Sequence, residues 1–241
     1  LDFRHLFASW FNRGFLVLRP VNWESPARIL EKIIAYEAVH EIHSWEDLRR
    51  RVEPPDRRCF AFFHPSIPDD PLIFVEVALV HGLADSVQAL LAPEIDEKAP
   101  ETANTAIFYS ISNCQAGLKG ISFGNFLIKQ VVEELKREFP QLKQFATLSP
   151  IPGFMGWLRT RQKSKADDAK LAGQVLAGLS EDDWINDPVK VANLKKPTLA
   201  LCATYLATCK RGKSPLDPTA RFHLGNGPCT EPRQKVFLES A

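Results

Sequence analysis

The sequence predicts an α+β fold, a mixed and largely antiparallel sheet flanked by helices. Three observations carry this. Residues 58–64 (RCFAFFH) and 72–80 (LIFVEVALV) are strand-like apolar runs joined by a short Pro/Asp-rich link, which makes an antiparallel hairpin. A third such run, 105–112 (TAIFYSIS), precedes a Gly-containing loop, a long amphipathic helix and a further short apolar run. Strand and helix patterns alternate unevenly rather than in strict βαβ order.

Element by element, residues 2–12 carry Phe3, Leu6, Phe7, Trp10 and Phe11 at helical spacing, and Gly14 ends that helix. Residues 15–21 (FLVLRPV) predict a strand. Trp23-Glu24-Ser25-Pro26 opens a helix with Ser25 as N-cap and Pro26 at the first helical position, running to about 36–38. Ser44-Trp45-Glu46-Asp47 opens another, with acids in its first turn, ending before Pro54-Pro55. Pro68-Asp69-Asp70-Pro71 predicts a turn, and 89–104 an irregular segment. The helix from Asn125 to about Glu138 shows one stripe, Phe126, Leu127, Val131, Leu135 and Phe139, and Pro140 terminates it. Residues 144–148 predict a strand, 168–179 and 187–210 helices, 211–218 a loop, and 220–224 a short mixed segment.

The 241 residues suffice for one large domain, and 45% hydrophobic against 24% charged residues is ordinary globular composition. Thirty Lys and Arg against 29 Asp and Glu leave a net charge of +1, which argues against nucleic acid or an anionic membrane as the main partner. No apolar run approaches the 18 residues of a spanning helix, and Leu1 opens no signal-peptide pattern. Cys59, Cys114, Cys202, Cys209 and Cys229 form no CxxC, and the six histidines are scattered. They read as thiols of a reducing compartment. His40 and His43 could share a helical face, but no third ligand accompanies them, so no metal is expected.

Three segments carry candidate chemistry. Gly117 to Asn125 (GLKGISFGN) lies between a strand and a helix, where backbone N–H groups and the helix N-terminus suit an anion. It matches neither GxxxxGK[ST] nor GxGxxG, and a plain tight connection explains it as well. Ser149-Pro150-Ile151-Pro152-Gly153 ends a strand in a stiff turn, which suits either a substrate-positioning hydroxyl or a local cap. Phe222-His223-Leu224-Gly225-Asn226-Gly227 places a histidine before a Gly-Asn-Gly turn, as a proton donor near a sheet edge or as a structural residue. Arg49-Arg50-Arg51 and Arg57-Arg58 read as a solvated face, or as contacts to cofactor phosphates.

The strings at 108–140 (FYSISNCQAGLKGISFGNFLIKQVVEELKREFP), 146–154 (ATLSPIPGF) and 220–227 (ARFHLGNG), with WESP…HSWEDLRRRV…DRRCFAFFHP over 23–65, resemble the malonyl-CoA decarboxylase family. The motifs occur in the family's order and cover almost the whole chain. The resemblance implies a catalytic domain of the GNAT-type acyltransferase fold over 14–227, preceded at 1–13 by the end of a helical domain and followed by a divergent tail at 228–241. The chain is thus expected to be truncated at both ends. It implies decarboxylation of malonyl-CoA to acetyl-CoA and CO2, with Ser149 and His223 as the catalytic pair. It implies a CoA pyrophosphate loop at Lys119, Gly120, Ile121, Ser122, Phe123, Gly124 and Asn125, with no further cofactor, since the CoA thioester is the substrate. It also implies a homo-oligomeric, soluble, intracellular protein, cytoplasmic in a bacterium or mitochondrial or peroxisomal in a eukaryote. The fold equally admits an acyl-CoA acyltransferase, and the short tail an inactive CoA-binding fragment.

Overall fold

The computed structural model describes residues 15–84, 86–92, 94–115, 124–225 and 236–239, the backbone alone at 124, 125, 224, 225 and 236–239. The chain divides into two compact units, Leu1–Ser149 with Cys229–Glu239, and Pro150–Pro228 with Ser240–Ala241.

The first unit is built on the predicted mixed sheet. Its elements are β1 (Val17–Val21), α1 (Ala27–Tyr36), α2 (Trp45–Val52), β2 (Arg57–His64), β3 (Ile67–Val80), α3 (Val87–Leu91), α4 (Ala99–Thr102), β4 (Thr105–Asn113), α5 (Gly124–Glu138) and β5 (Gln144–Pro150). The strands stand in the order β1-β2-β3-β4-β5, and a last strand, Val236–Glu239, flanks β5. β1 to β4 pair antiparallel. β4 and β5 pair parallel, and α5 lies in the crossover that such a pair requires.

β2 and β3 read as unbroken apolar runs because both of their faces are covered. On one face α1 and α2 set Ile29, Leu30, Ile33, Leu48 and Val52 against Cys59, Ala61, Phe63 and Phe74. Further along that sheet, Val87 and Leu90 of α3 pack with Ala78, Ile107, Tyr109, Ala146 and Leu148. α5 also packs on β2, where Phe62 stacks on Phe126 with ring centroids 5.4 Å apart. β4 carries a bulge: Glu76 faces Ser110 and Val77 faces Phe108, so Tyr109 is the extra residue.

Several local expectations change. α1 begins after Pro26, which is its N-cap, while the Ser25 hydroxyl accepts the Asn22 N–H at 3.0 Å inside the preceding turn. Ser44 does cap α2, accepting the Asp47 N–H at 3.1 Å. Residues 68–71 are strand rather than turn: two register shifts at Phe62–His64 absorb the prolines and extend β3 back to Ile67. Its two aspartates, Asp69 and Asp70, pair with Arg28 and Lys32 of α1. The segment expected to be irregular holds the short helices α3 and α4.

The second unit is helical: α6 (Phe154–Arg161), α7 (Ala169–Leu179), a 3-10 turn at Trp184–Asn186, α8 (Pro188–Thr208), the two-stranded β6 (Lys210–Arg211) and β7 (Ser214–Pro215), and α9 (Pro218–Gly225). Asp187 caps α8 by accepting from Val189 N and Lys190 N, with Pro188 at the first position as the missing N–H allows. The expected loop after α8 is a hairpin turned at Gly212, whose φ of +66° favours glycine. The expected mixed segment at 220–224 is helical, part of α9. Phe154, Trp157 and Tyr205 form an aromatic cluster in this unit, with ring centroids 5.3 to 6.0 Å apart. Among the described residues no helix is long and apolar enough to cross a membrane.

Candidate active site

The β4–β5 ladder runs only from Thr105↔Gln144 to Phe108↔Thr147. Both strands continue, β4 to Asn113 and β5 to Pro150, so they part beyond Thr147. Crevices beyond the carboxyl ends of parallel strands are the usual ligand sites of such sheets. Ser149 stands two residues past the last pair, half-buried at the end of β5. Leu148 turns into the α3 core, so strand alternation sends Ser149 and Thr147 to the other face.

The β4 side of the parting is held by charge. Glu37, at the C-cap of α1, is buried, and it accepts the hydroxyl of Ser110 at 2.8 Å and of Ser112 at 3.1 Å. The same carboxylate accepts the backbone N–H groups of Val39 and His40 at 2.9 and 2.8 Å. The His40 ring donates through Nε2 to the Tyr109 carbonyl oxygen, 3.2 Å away, at the bulge. His40 and His43 lie in the α1–α2 connection and not on a helix, so the shared helical face does not form. Next to this network Arg51 donates to Glu76 at 3.1 Å, both side chains being buried. Burial, with Glu37 adding repulsion, pushes the Glu76 carboxyl up to about 8 against the pull of Arg51.

The arginine runs are committed within the protein. Arg49 pairs with Glu53 on the surface, Arg50 with Asp47, and Arg58 with Glu138. Arg51 and Arg57 are buried, the latter against Asp56 and the Leu90 carbonyl, which corrects the solvated-face reading for those two.

In the second unit the turn after Ser149 enters α6 through Phe154 N–H to Ile151 C=O at 3.1 Å. Gly153 is there for close approach: a Cβ would lie 2.1 Å from the Tyr205 hydroxyl oxygen. His223 sits on α9, which Asp217 caps at Thr219 and Ala220, and the Gly-Asn-Gly turn expected after it lies at 226 and 227, outside the described residues. The His223 ring is half-buried, and desolvation holds its pKa below the ordinary histidine value. Ser149 thus falls in the first unit and His223 in the second. Lys119, Gly120, Ile121, Ser122 and Phe123 lie outside the described residues, while Gly124 and Asn125 open the first turn of α5.

Sequence reasoning missed Glu37, Glu76 and Asp217. The available signal was Ser110 and Ser112 at alternate positions of an otherwise apolar strand, since buried hydroxyls need partners.

Residues 14–236 match the family model of the malonyl-CoA decarboxylase C-terminal domain. Mitochondrial malonyl-CoA decarboxylases of Anser anser anser and Mus musculus are each 39% identical over 246 residues, covering 93% of this chain and 49% and 50% of those proteins. The chain therefore spans about half the length of these curated relatives. Crystal structures of malonyl-CoA decarboxylase from Rhodopseudomonas palustris and Agrobacterium vitis superpose with TM-scores of 0.85 and 0.86 at 54% and 53% identity, each covering 94% of this chain and 56% of theirs. The chain belongs to the malonyl-CoA decarboxylase family, through the family's C-terminal domain.

Proposed function

We propose that this chain decarboxylates malonyl-CoA to acetyl-CoA and CO2, with Ser149 and His223 as its catalytic pair and residues 119–125 as the cradle for the CoA pyrophosphate. The observation that carries the reading is the parting of β4 and β5 with Ser149 at its edge, in a chain 39% identical to malonyl-CoA decarboxylases over 93% of its length.

The chemistry sets three demands. The C–CO2 bond must stand perpendicular to the thioester plane, so that its electrons enter the carbonyl π system. The oxyanion that develops on the thioester oxygen needs a donor, and the enolate carbon then needs a proton. The thioester itself accepts the electrons. A half-buried hydroxyl at a strand end, followed by two prolines that stiffen the exit, suits a donor that must not move. His223 supplies the proton or stabilises the enolate charge. Its lowered pKa makes the imidazolium form a stronger acid than an ordinary histidine.

The test is acetyl-CoA and CO2 formation from malonyl-CoA by the parent, Ser149→Ala and His223→Asn. Loss of about 100-fold or more in turnover is expected in each variant, the scale of losing a general acid or a preorganised donor. Transfer of an acyl group to an amine with no CO2 released would replace this reading with an acyltransferase. A thermal shift with malonyl-CoA and no turnover would replace it with a CoA-binding protein.

A further inference from the structure

One buried carboxylate in the second unit serves three elements at once. Asp217 is 1% exposed. Its Oδ1 accepts the N–H groups of Thr219 and Ala220, each at 2.9 Å, which caps the helix bearing His223. An N-cap needs no more than that one oxygen. Here Oδ2 also accepts the Gly153 N–H at 3.4 Å and the Tyr205 hydroxyl at 3.5 Å. Gly153 opens α6, four residues after Ser149, and Tyr205 comes from α8. Gly153 has no side chain to hold Tyr205 off, which lets the three segments close on one another.

We propose that Asp217 is a positioning residue of the decarboxylation reaction: through its second oxygen it fixes the helix carrying His223 against the turn by which the chain leaves Ser149. The proposal rests on the function proposed above. Asp217 touches no reacting atom in it. The capping oxygen sets where α9 begins, and the other sets where that beginning lies relative to Gly153. A displacement of about 1 Å between groups that must act together costs up to about 100-fold in rate, whereas the affinity for a CoA thioester held elsewhere is spared.

Serine separates the two oxygens, because its hydroxyl caps a helix about as well as aspartate and cannot also reach Gly153 and Tyr205. Asp217→Ser and Tyr205→Phe are compared with the parent by malonyl-CoA kinetics, thermal unfolding and NMR. In Asp217→Ser, kcat is expected to fall about 10- to 100-fold, with KM changed by less than about 3-fold and the unfolding transition still cooperative. The Gly153 amide should exchange at least about 10-fold faster, and the His223 ring resonances should shift. Tyr205→Phe, which leaves Gly153 its acceptor, should lower kcat less than Asp217→Ser does. Parent-like kcat in Asp217→Ser overturns the proposal, as does a kcat loss that only tracks the unfolded fraction. If the parent itself does not decarboxylate malonyl-CoA, the proposed function fails, and the NMR arm still decides: unmoved Gly153 and His223 signals overturn the positioning role, and shifted ones support it.

Discussion

Replacing Glu37 by alanine removes a single acceptor from four donors. The Ser110 and Ser112 hydroxyls and the Val39 and His40 amides all end on this carboxylate, at 2.8 to 3.1 Å. Hydrogen bonds to a charged group contribute about 1.5–3 kcal/mol each when buried and less where water can substitute. The two serine hydroxyls are buried, while the two amides sit at the partly open α1–α2 connection. Taking about 1–1.5 kcal/mol for each hydroxyl and about 0.5–1 for each amide gives about 3–5 kcal/mol for Glu37→Ala. With a urea slope of about 2 kcal/mol per molar, the midpoint should fall by about 1.5–2.5 M. Glu37→Gln keeps the shape and one carbonyl oxygen and should lose less than half as much. The assay is urea unfolding followed by circular dichroism, with amide exchange at Val39 and His40 as the local readout. A Glu37→Ala midpoint within about 0.5 M of the parent would refute the reasoning, since water would then already satisfy those donors.

Other outcomes follow from the same physical chemistry. Glu76 has its pKa raised to about 8 in the fold, so the folded state holds a proton that the unfolded chain gives up near its ordinary 4.5. Its contribution is complete below 4.5 and is lost as pH rises through 8, so Glu76→Gln should gain stability relative to the parent between pH 5 and 8; parallel stability curves would contradict this. His223 is the opposite case: its folded pKa is depressed, so its contribution stands above about 6.5 and disappears as pH falls through the folded value. His223→Asn should flatten that acid limb in thermal unfolding, and an unchanged limb would count against the burial of the ring. Gly153→Ala must drive the rigid Tyr205 ring away from a Cβ 2.1 Å from its oxygen, a cost of about 1–3 kcal/mol in chemical denaturation, and a neutral substitution would contradict that close packing.

The sequence carried the elements whose causes are local. The Ser44 cap needs only residues three apart, and the α5 stripe is a matter of spacing. The cap of α1 falls one position after Ser25, because the Ser25 hydroxyl is taken by the Asn22 N–H in the preceding turn, which the local sequence does not show. Residues 68–71 looked like a turn because proline and aspartate are turn formers, yet two register shifts and the lysine and arginine of α1 hold them in β3. The helix under His223 is hard to read beside the Gly-Asn-Gly signal, because the cap that makes its segment helical lies six residues upstream at Asp217. The Glu37 network was illegible for a different reason: its partners are 73 and 75 positions apart, a distance no periodicity encodes.

Tyr109 also acts as an odd-numbered spacer. Before it, Ile107 and Tyr109 face α3; after it, Ser110, Ser112 and Cys114 take that same side of the sheet, toward α1. Were the same residues to run without the bulge, strict alternation would bring Ile111 to the Glu37 carboxylate and turn both hydroxyls into the opposite, apolar layer. Deleting Tyr109 would leave Phe108 and Ser110 in ordinary alternation and every later position on its present face, so the strand keeps its polarity only because the added residue is taken up as a bulge.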